Sequence, residues 1–164
     1  MKKLYATFLI IACTLVSLLC NAQAEWKNDF SKQGETLKTV GRGKCAVTDG
    51  VFRSVDAYSC FGNLEWKNYT MSFKARAPKD ADQVQIWAGF RAYNRFDRYV
   101  LGLKGGLQDD IYLMRLGYMG TDEFLGVRPL GFHPVPGEWY NIKVEVCGSR
   151  IRIFLNNEKE PRID

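Results

Sequence analysis

From Tyr69 onward the sequence changes side-chain character at every second residue, and that alternation admits little except β-structure. Val84, Ile86, Ala88 and Phe90 alternate with Gln85, Trp87, Gly89 and Arg91. Tyr99, Leu101 and Leu103 alternate with Val100, Gly102 and Lys104. Tyr69, Met71, Phe73 and Ala75 interleave with Thr70, Ser72, Lys74 and Arg76, and Tyr140, Ile142, Val144 and Val146 with Asn141, Lys143 and Glu145. A strand turns successive side chains to opposite faces, so each run has one apolar face and one face of different character. After residue 24 no segment keeps a helical period for three turns, and all 15 glycines fall in that part. Short alternating runs punctuated by turns are the signature of an all-β domain.

The turns can be placed as well. Thr48-Asp49-Gly50 joins Lys44–Val47 to Val51–Val55, and Asp-Gly between strands is a strong hairpin signal. Pro78 to Asp82 is a polar break before the hairpin formed by Val84–Arg91 and Tyr99–Lys104. Ile111–Tyr118 and Asp122–Val127 read as further strands. Arg128–Gly137, with Pro129, Pro134 and Pro136 around His133, reads as a loop. Gly148-Ser149 turns Tyr140–Val146 back into Ile151–Leu155. Glu25 to Val40 is an irregular lead-in whose Trp26 and Phe30 are expected to dock on the core. The last residues, Glu158 to Asp164, read as the approach to another strand, so the closing strands are expected to lie beyond them.

The N-terminus has the form of a secretion signal: Lys2 and Lys3, the apolar run Leu4–Leu19, then Ala22-Gln23-Ala24. Cleavage after Ala24 is expected, which leaves one domain over 25–164 in a secreted or periplasmic protein, with a cell-surface location as an alternative and no membrane segment of its own. Acylation at Cys20 is the alternative, although Leu19 stands where a lipobox wants a small residue. Losing Lys2 and Lys3 takes two charges from a formal net charge of +5, a balance too mild to point to nucleic acid or a membrane surface.

Three cysteines follow the signal: Cys45, Cys60 and Cys147. Export permits a disulfide, and Cys45 and Cys60 flank the Asp49-Gly50 hairpin, so these two are expected to pair and Cys147 to stay a buried thiol. There is no Cys-x-x-Cys and only one histidine, His133, so a structural zinc site is not expected. No phosphate loop or nucleophile elbow is present, and no cofactor is expected. Asp80, Asp82, Asp109 and Asp110 are hard oxygen ligands of the kind calcium takes, without diagnostic spacing, so calcium stays open. Asp109 and Asp110 are adjacent and, if extended, point to opposite faces. They do not make the facing carboxylate pair of a glycosidase without a bulge.

The order Asp49-Gly50-Val51-Phe52, Tyr69-Thr70-Met71-Ser72-Phe73, Ala88-Gly89-Phe90-Arg91, Tyr99-Val100-Leu101, then Gly137-Glu138-Trp139-Tyr140 and Ile151-Arg152-Ile153-Phe154-Leu155-Asn156, resembles the concanavalin A-like jelly rolls. More narrowly it is similar to the laminin-G-like modules of secreted bacterial glycoside hydrolases, family-2-like glycosidases among them, and to the 3-keto-disaccharide hydrolase group. The resemblance covers Cys45 to Asp164. It implies a two-sheet antiparallel jelly-roll sandwich with a concave sheet, and a glycan or oligosaccharide partner. It also implies a catalytic glycosidase domain downstream that this module serves in polysaccharide breakdown. Sugar rings stack on aromatic faces and offer hydroxyls to polar groups. The expected carbohydrate contacts are therefore Gln85, Trp87 and Arg91 on one strand face, Tyr93 and Arg95 in the following loop, and Asp109, Asp110 and His133. Lys74 and Arg76 are expected on a neighbouring strand of the same concave sheet. No catalytic residue is assigned. Two alternatives stand beside this reading: a self-contained hydrolase of the 3-keto-disaccharide kind, and a ligand-free spacer domain in which Trp87 is core. Whether Trp87 is buried decides the last.

Overall fold

The computed structural model describes residues 28–31, 39–62, 65–94 and 96–164. The expected signal at 1–24, with Cys13 and Cys20, and also Trp26 and Arg95, lies outside them. Nine strands are described: β1 (Thr39–Thr48), β2 (Val51–Ser59), β3 (Tyr69–Ala75), β4 (Gln85–Phe90), β5 (Arg98–Lys104), β6 (Asp110–Leu116), β7 (Glu123–Pro129), β8 (Tyr140–Cys147) and β9 (Arg150–Leu155). All pairings are antiparallel, and the strands form three small sheets: β1-β2, β3-β8-β9 and β4-β5-β6-β7. Among the described residues the only helical element is one 3-10 turn at Tyr118–Gly120, and no helix is long and apolar enough to cross a membrane.

The chain divides into two compact units, Ala24–Glu65 and Trp66–Asp164. The first is the β1-β2 hairpin. Its turn is the expected one: Asp49 and Gly50 both take left-handed φ values, 52° and 68°, as a two-residue turn between right-twisted strands requires. Phe30 stacks on Phe52 at 5.7 Å, and Phe61 closes edge-on against both. Phe30 thus docks within the hairpin unit. The expected Cys45–Cys60 disulfide is not formed, and both residues carry thiols. The register gives the reason. Cys45 lies opposite Ser54 while Cys60 follows Ser59, opposite Thr39, so six residues, roughly 20 Å of strand, separate the two levels. The Cys45 thiol instead lies 3.6 Å from the Ser54 hydroxyl. Cys147, expected as a free buried thiol, is half-buried and disulfide-bonded.

The second unit holds the main core. From the four-stranded sheet come Ile86, Phe90, Leu101, Leu103, Ile111 and Leu113. From the three-stranded sheet come Tyr140, Ile142, Val144, Val146, Ile151, Ile153 and Leu155. Register keeps these on one face of each sheet: Ile86 opposite Leu103 opposite Ile111, and Val144 opposite Ile153. Because the side-chain period is two, a slip of one residue would carry a whole set to the solvent face. Leu101, Leu103, Val144, Ile153 and Leu155 are fully buried.

The segment after β9 is anchored to both sheets. Asn156 and Asn157 take left-handed φ values of 50° and 61°, a conformation asparagine tolerates, and reverse the chain. Ile163 is buried, pairs with Ile153 on the free side of β9 and lies against Gly126 of β7. The Arg162 guanidinium pairs with Glu158 and donates to the Leu130 carbonyl at 2.9 Å. The expected bare edge beside β9 is therefore partly covered by residues 162–164 themselves.

A measurable consequence concerns the core. Leu103→Ala removes a fully buried side chain from the centre of the four-stranded sheet. Chemical denaturation should show a loss of about 2–5 kcal/mol of stability. A loss below about 1 kcal/mol would contradict the packing described here.

Candidate functional site

The side of the four-stranded sheet turned away from this core has its own character. Cross-strand register sets Gln85, Lys104, Asp110 and Pro129 in one row. The next row is Trp87, Gly102, Tyr112 and Val127, followed by Gly89, Val100, Met114 and Phe124. Val100, Tyr112 and Met114 pack as a second apolar cluster with Leu116 beside them. Trp87 and Phe124 are each 63 % exposed. Trp87 is therefore not core, which removes the observation that would have favoured the spacer reading.

Glycine shapes this face at its centre. A Cβ on Gly102 would fall 2.0 Å from Tyr112 Cζ, so the Tyr112 ring lies over the bare backbone of Gly102. Phe124 meets Tyr112 edge-on at 5.6 Å. At the next level Arg98 extends over Gly89, 3.2 Å from where a Cβ would stand. Burial, and secondarily the negative charge of Asp110, raises the Tyr112 phenol above the ordinary tyrosine value. Tyr112 is thus a neutral, hydroxyl-bearing floor beside the standing indole of Trp87.

The polar row borders this floor. Asp110 is half-buried, and its Oδ1 is covered without a hydrogen-bond partner among the described residues. Lys104, directly opposite, forms no ion pair with it. Asp109 faces elsewhere. Its two carboxylate oxygens lie 3.1 and 3.0 Å from His133 Nδ1, and Oδ1 also accepts from the Gly106 N–H at 3.1 Å. A carboxylate only accepts, so a proton sits on Nδ1. His133 is itself 65 % exposed. The neighbours Asp109 and Asp110 do diverge, and they make no facing carboxylate pair.

The expected contacts therefore separate. Gln85, Trp87 and Asp110 share one face, with Asp109 and His133 at the end of the sheet where β6 begins. Arg91 does not share the face with Trp87. β4 ends at Phe90, and Arg91 takes a left-handed φ of 47°, which breaks the alternation. Its N–H donates to Tyr69 Oη at 2.8 Å and its guanidinium to the Lys67 carbonyl at 2.7 and 3.2 Å. It is a tie between the end of β4 and the start of β3. Tyr93, 84 % exposed, lies in the same loop, which Asn94 closes by accepting from the Phe96 and Asp97 N–H groups. Lys74 and Arg76 do not join this face either: β3 belongs to the other sheet, and Arg76 sits 4.6 Å over the Trp139 ring. Asp80 and Asp82 are exposed in the turn before β4, and among the described residues no group of three or more His, Cys, Asp or Glu could hold a metal ion.

Sequence reasoning missed Lys104, Tyr112 and Phe124. Lys104 was legible as the polar residue of its strand's alternate side, but Tyr112 shares its side with Met114 and Leu116, and which strands are neighbours was not legible. Comparison with protein-family models, with curated proteins and with solved structures finds no match for this chain.

Two substitutions test this geometry. Gly102→Ala should push the Tyr112 ring out of place, with a cost of about 1–3 kcal/mol and a changed near-ultraviolet tyrosine signal. Arg91→Ala should cost about 1–2 kcal/mol through its lost hydrogen bonds. It should leave the Trp87 fluorescence environment unaltered, whereas a shifted Trp87 emission would place Arg91 on the Trp87 face after all.

Proposed function

We propose that this chain is an exported glycan-binding module. It is read as a two-sheet jelly-roll sandwich of the concanavalin A-like kind, acting as an accessory to a glycoside hydrolase carried on the same polypeptide. The fold reading is supported by inner faces of a three- and a four-stranded sheet that fill one core. The export reading is supported by the Lys2-Lys3, apolar and Ala22-Gln23-Ala24 pattern.

One observation carries the functional reading: Trp87 stands exposed in mid-strand beside a flat tyrosine, in reach of a row of polar side chains. An indole held out in water at the centre of a regular strand does nothing for the core. Placed on a sheet with a glycine cut beside it, it offers the apolar face that a sugar ring needs, and Gln85, Lys104 and Asp110 offer partners for the ring's hydroxyls. The binding face is that of β4-β5-β6-β7 alone. Arg91 is removed from the contact set, and Lys104 and Tyr112 are added to it.

The test is glycan titration of Trp87→Ala beside its thermal melt. Losing the stacking surface should weaken binding roughly five- to 150-fold, equivalent to about 1–3 kcal/mol. Stability should change by no more than about 0.5 kcal/mol, as for an exposed position. Unaltered affinity for every bound glycan would sink the reading.

A second reading, a self-contained hydrolase of the 3-keto-disaccharide kind, has one observation in its favour. Asp109 holds the His133 ring through Nδ1 at the end of the same sheet, the arrangement of an oriented imidazole. Turnover by the isolated chain that disappears in His133→Ala would favour it. Binding without turnover favours the accessory role.

A further inference from the structure

We propose that the face beside Trp87 selects uncharged, hydroxyl-bearing sugars, and that Lys104 and Asp110 read one hydroxyl between them. This rests on the glycan reading above and names the class of glycan that the site takes.

Lys104 and Asp110 stand directly opposite each other on adjacent strands, on the face that carries Trp87. Opposed residues in a sheet have Cβ atoms about 4.5–5.5 Å apart, close enough for their heads to serve one small group. Yet the two form no ion pair, and Asp110 Oδ1 is covered without a donor. With that inner oxygen covered, a ligand meets the half-buried carboxylate only through its outer oxygen, where a hydroxyl gains a charge-assisted hydrogen bond.

The two charged heads limit what that ligand group can be. An ammonium only donates and a carboxylate only accepts. A hydroxyl does both: it donates its proton toward Asp110 and accepts from Lys104. The carboxylate of a uronic acid would suit Lys104 and be repelled by Asp110. The ammonium of an amino sugar would suit Asp110 and be repelled by Lys104. Only the neutral group satisfies both. Gln85, opposite Lys104 on its other side, extends the row with an amide that both donates and accepts. Trp87 is two residues along β4 from Gln85, about 7 Å, so a ring lying on the indole brings its rim to this row.

The experiment is calorimetric titration of the full chain with three sets of probes. These are neutral gluco-, xylo- and manno-oligosaccharides, oligogalacturonates, and glucosamine oligomers. Each is run against wild type, Asp110→Asn, Lys104→Met and Trp87→Ala. Wild type should bind at least one neutral oligosaccharide about tenfold or more tightly than either charged set. Asp110→Asn should lose about tenfold toward that neutral ligand, as expected for one charge-assisted hydrogen bond, and narrow the gap to the galacturonates. Lys104→Met should lose a similar factor and narrow the gap to the glucosamine oligomers. A thermal melt accompanies each variant, with Asp110→Glu and Lys104→Arg, which keep the charge and alter the reach, standing in for any variant that unfolds.

The inference is overturned if a charged set binds best. It is overturned equally if Asp110→Asn and Lys104→Met leave affinity and discrimination unchanged while Trp87→Ala abolishes binding, because the face would then bind glycan without this row. If no probe binds, the glycan reading itself fails and this inference goes with it.

Discussion

The larger unit depends on one apolar core filled from two sheets at once. Ile86, Leu101, Leu103, Ile111 and Leu113 from one side and Ile142, Val144, Ile153 and Leu155 from the other are held in step by an alternation of strict period two. That period fixes the register of each strand, and register in turn fixes what stands on the outside. The two outer faces then differ. Behind the three-stranded sheet lie Lys143, Glu145 and Arg152, joined by ion pairs at 2.9 and 2.6 Å, with Lys143 lying 3.9 Å over the Phe154 ring. Behind the four-stranded sheet lie Trp87, Tyr112, Met114 and Phe124. A solvated face needs nothing more than the first. The aromatic face with an indole left in water is where the proposed ligand would bind, and this asymmetry is the reason the candidate site is put there.

Several polar groups that look like recognition residues in one dimension are structural in three. Arg91 and Arg162 each use a guanidinium on backbone carbonyls, Lys67 in one case and Leu130 in the other. Each ties an element of one sheet to an element of the other. Asp109 holds His133 and caps the Gly106 N–H, while its neighbour Asp110 borders the aromatic floor. Two adjacent carboxylates thus have different work because a strand sends successive side chains apart.

The sequence made the strands legible and their neighbours much less so. Tyr69–Ala75 is a strand as its alternation indicates, and the Asp49-Gly50 turn forms with both residues left-handed. Local chemistry is enough for such features. The pairing of β3 with β8, across more than sixty residues, has no local signature, so Lys74 and Arg76 were grouped with Trp87 although they stand on another sheet. The same gap hid Lys104 and Tyr112, whose importance lies in being opposite Gln85 and Trp87 by way of β5. Arg91 misled for a different reason: parity placed it beside Trp87, but a left-handed backbone ends the strand one residue earlier. Cys45 and Cys60 flank a turn without being opposite across it, and Cys45 is matched by Ser54.

The central claim is that a glycan lies on Trp87, and the most direct measurement follows that one indole. In nitrogen-15 spectra of the labelled chain, titration with the best-bound neutral oligosaccharide should move the Trp87 indole N–H resonance saturably, while the indoles of Trp66 and Trp139 stay in place. Assignment comes from the loss of one indole signal in Trp87→Phe. Saturable binding that leaves the Trp87 resonance unmoved, or that moves Trp66 or Trp139 instead, would contradict the account and put the binding surface elsewhere.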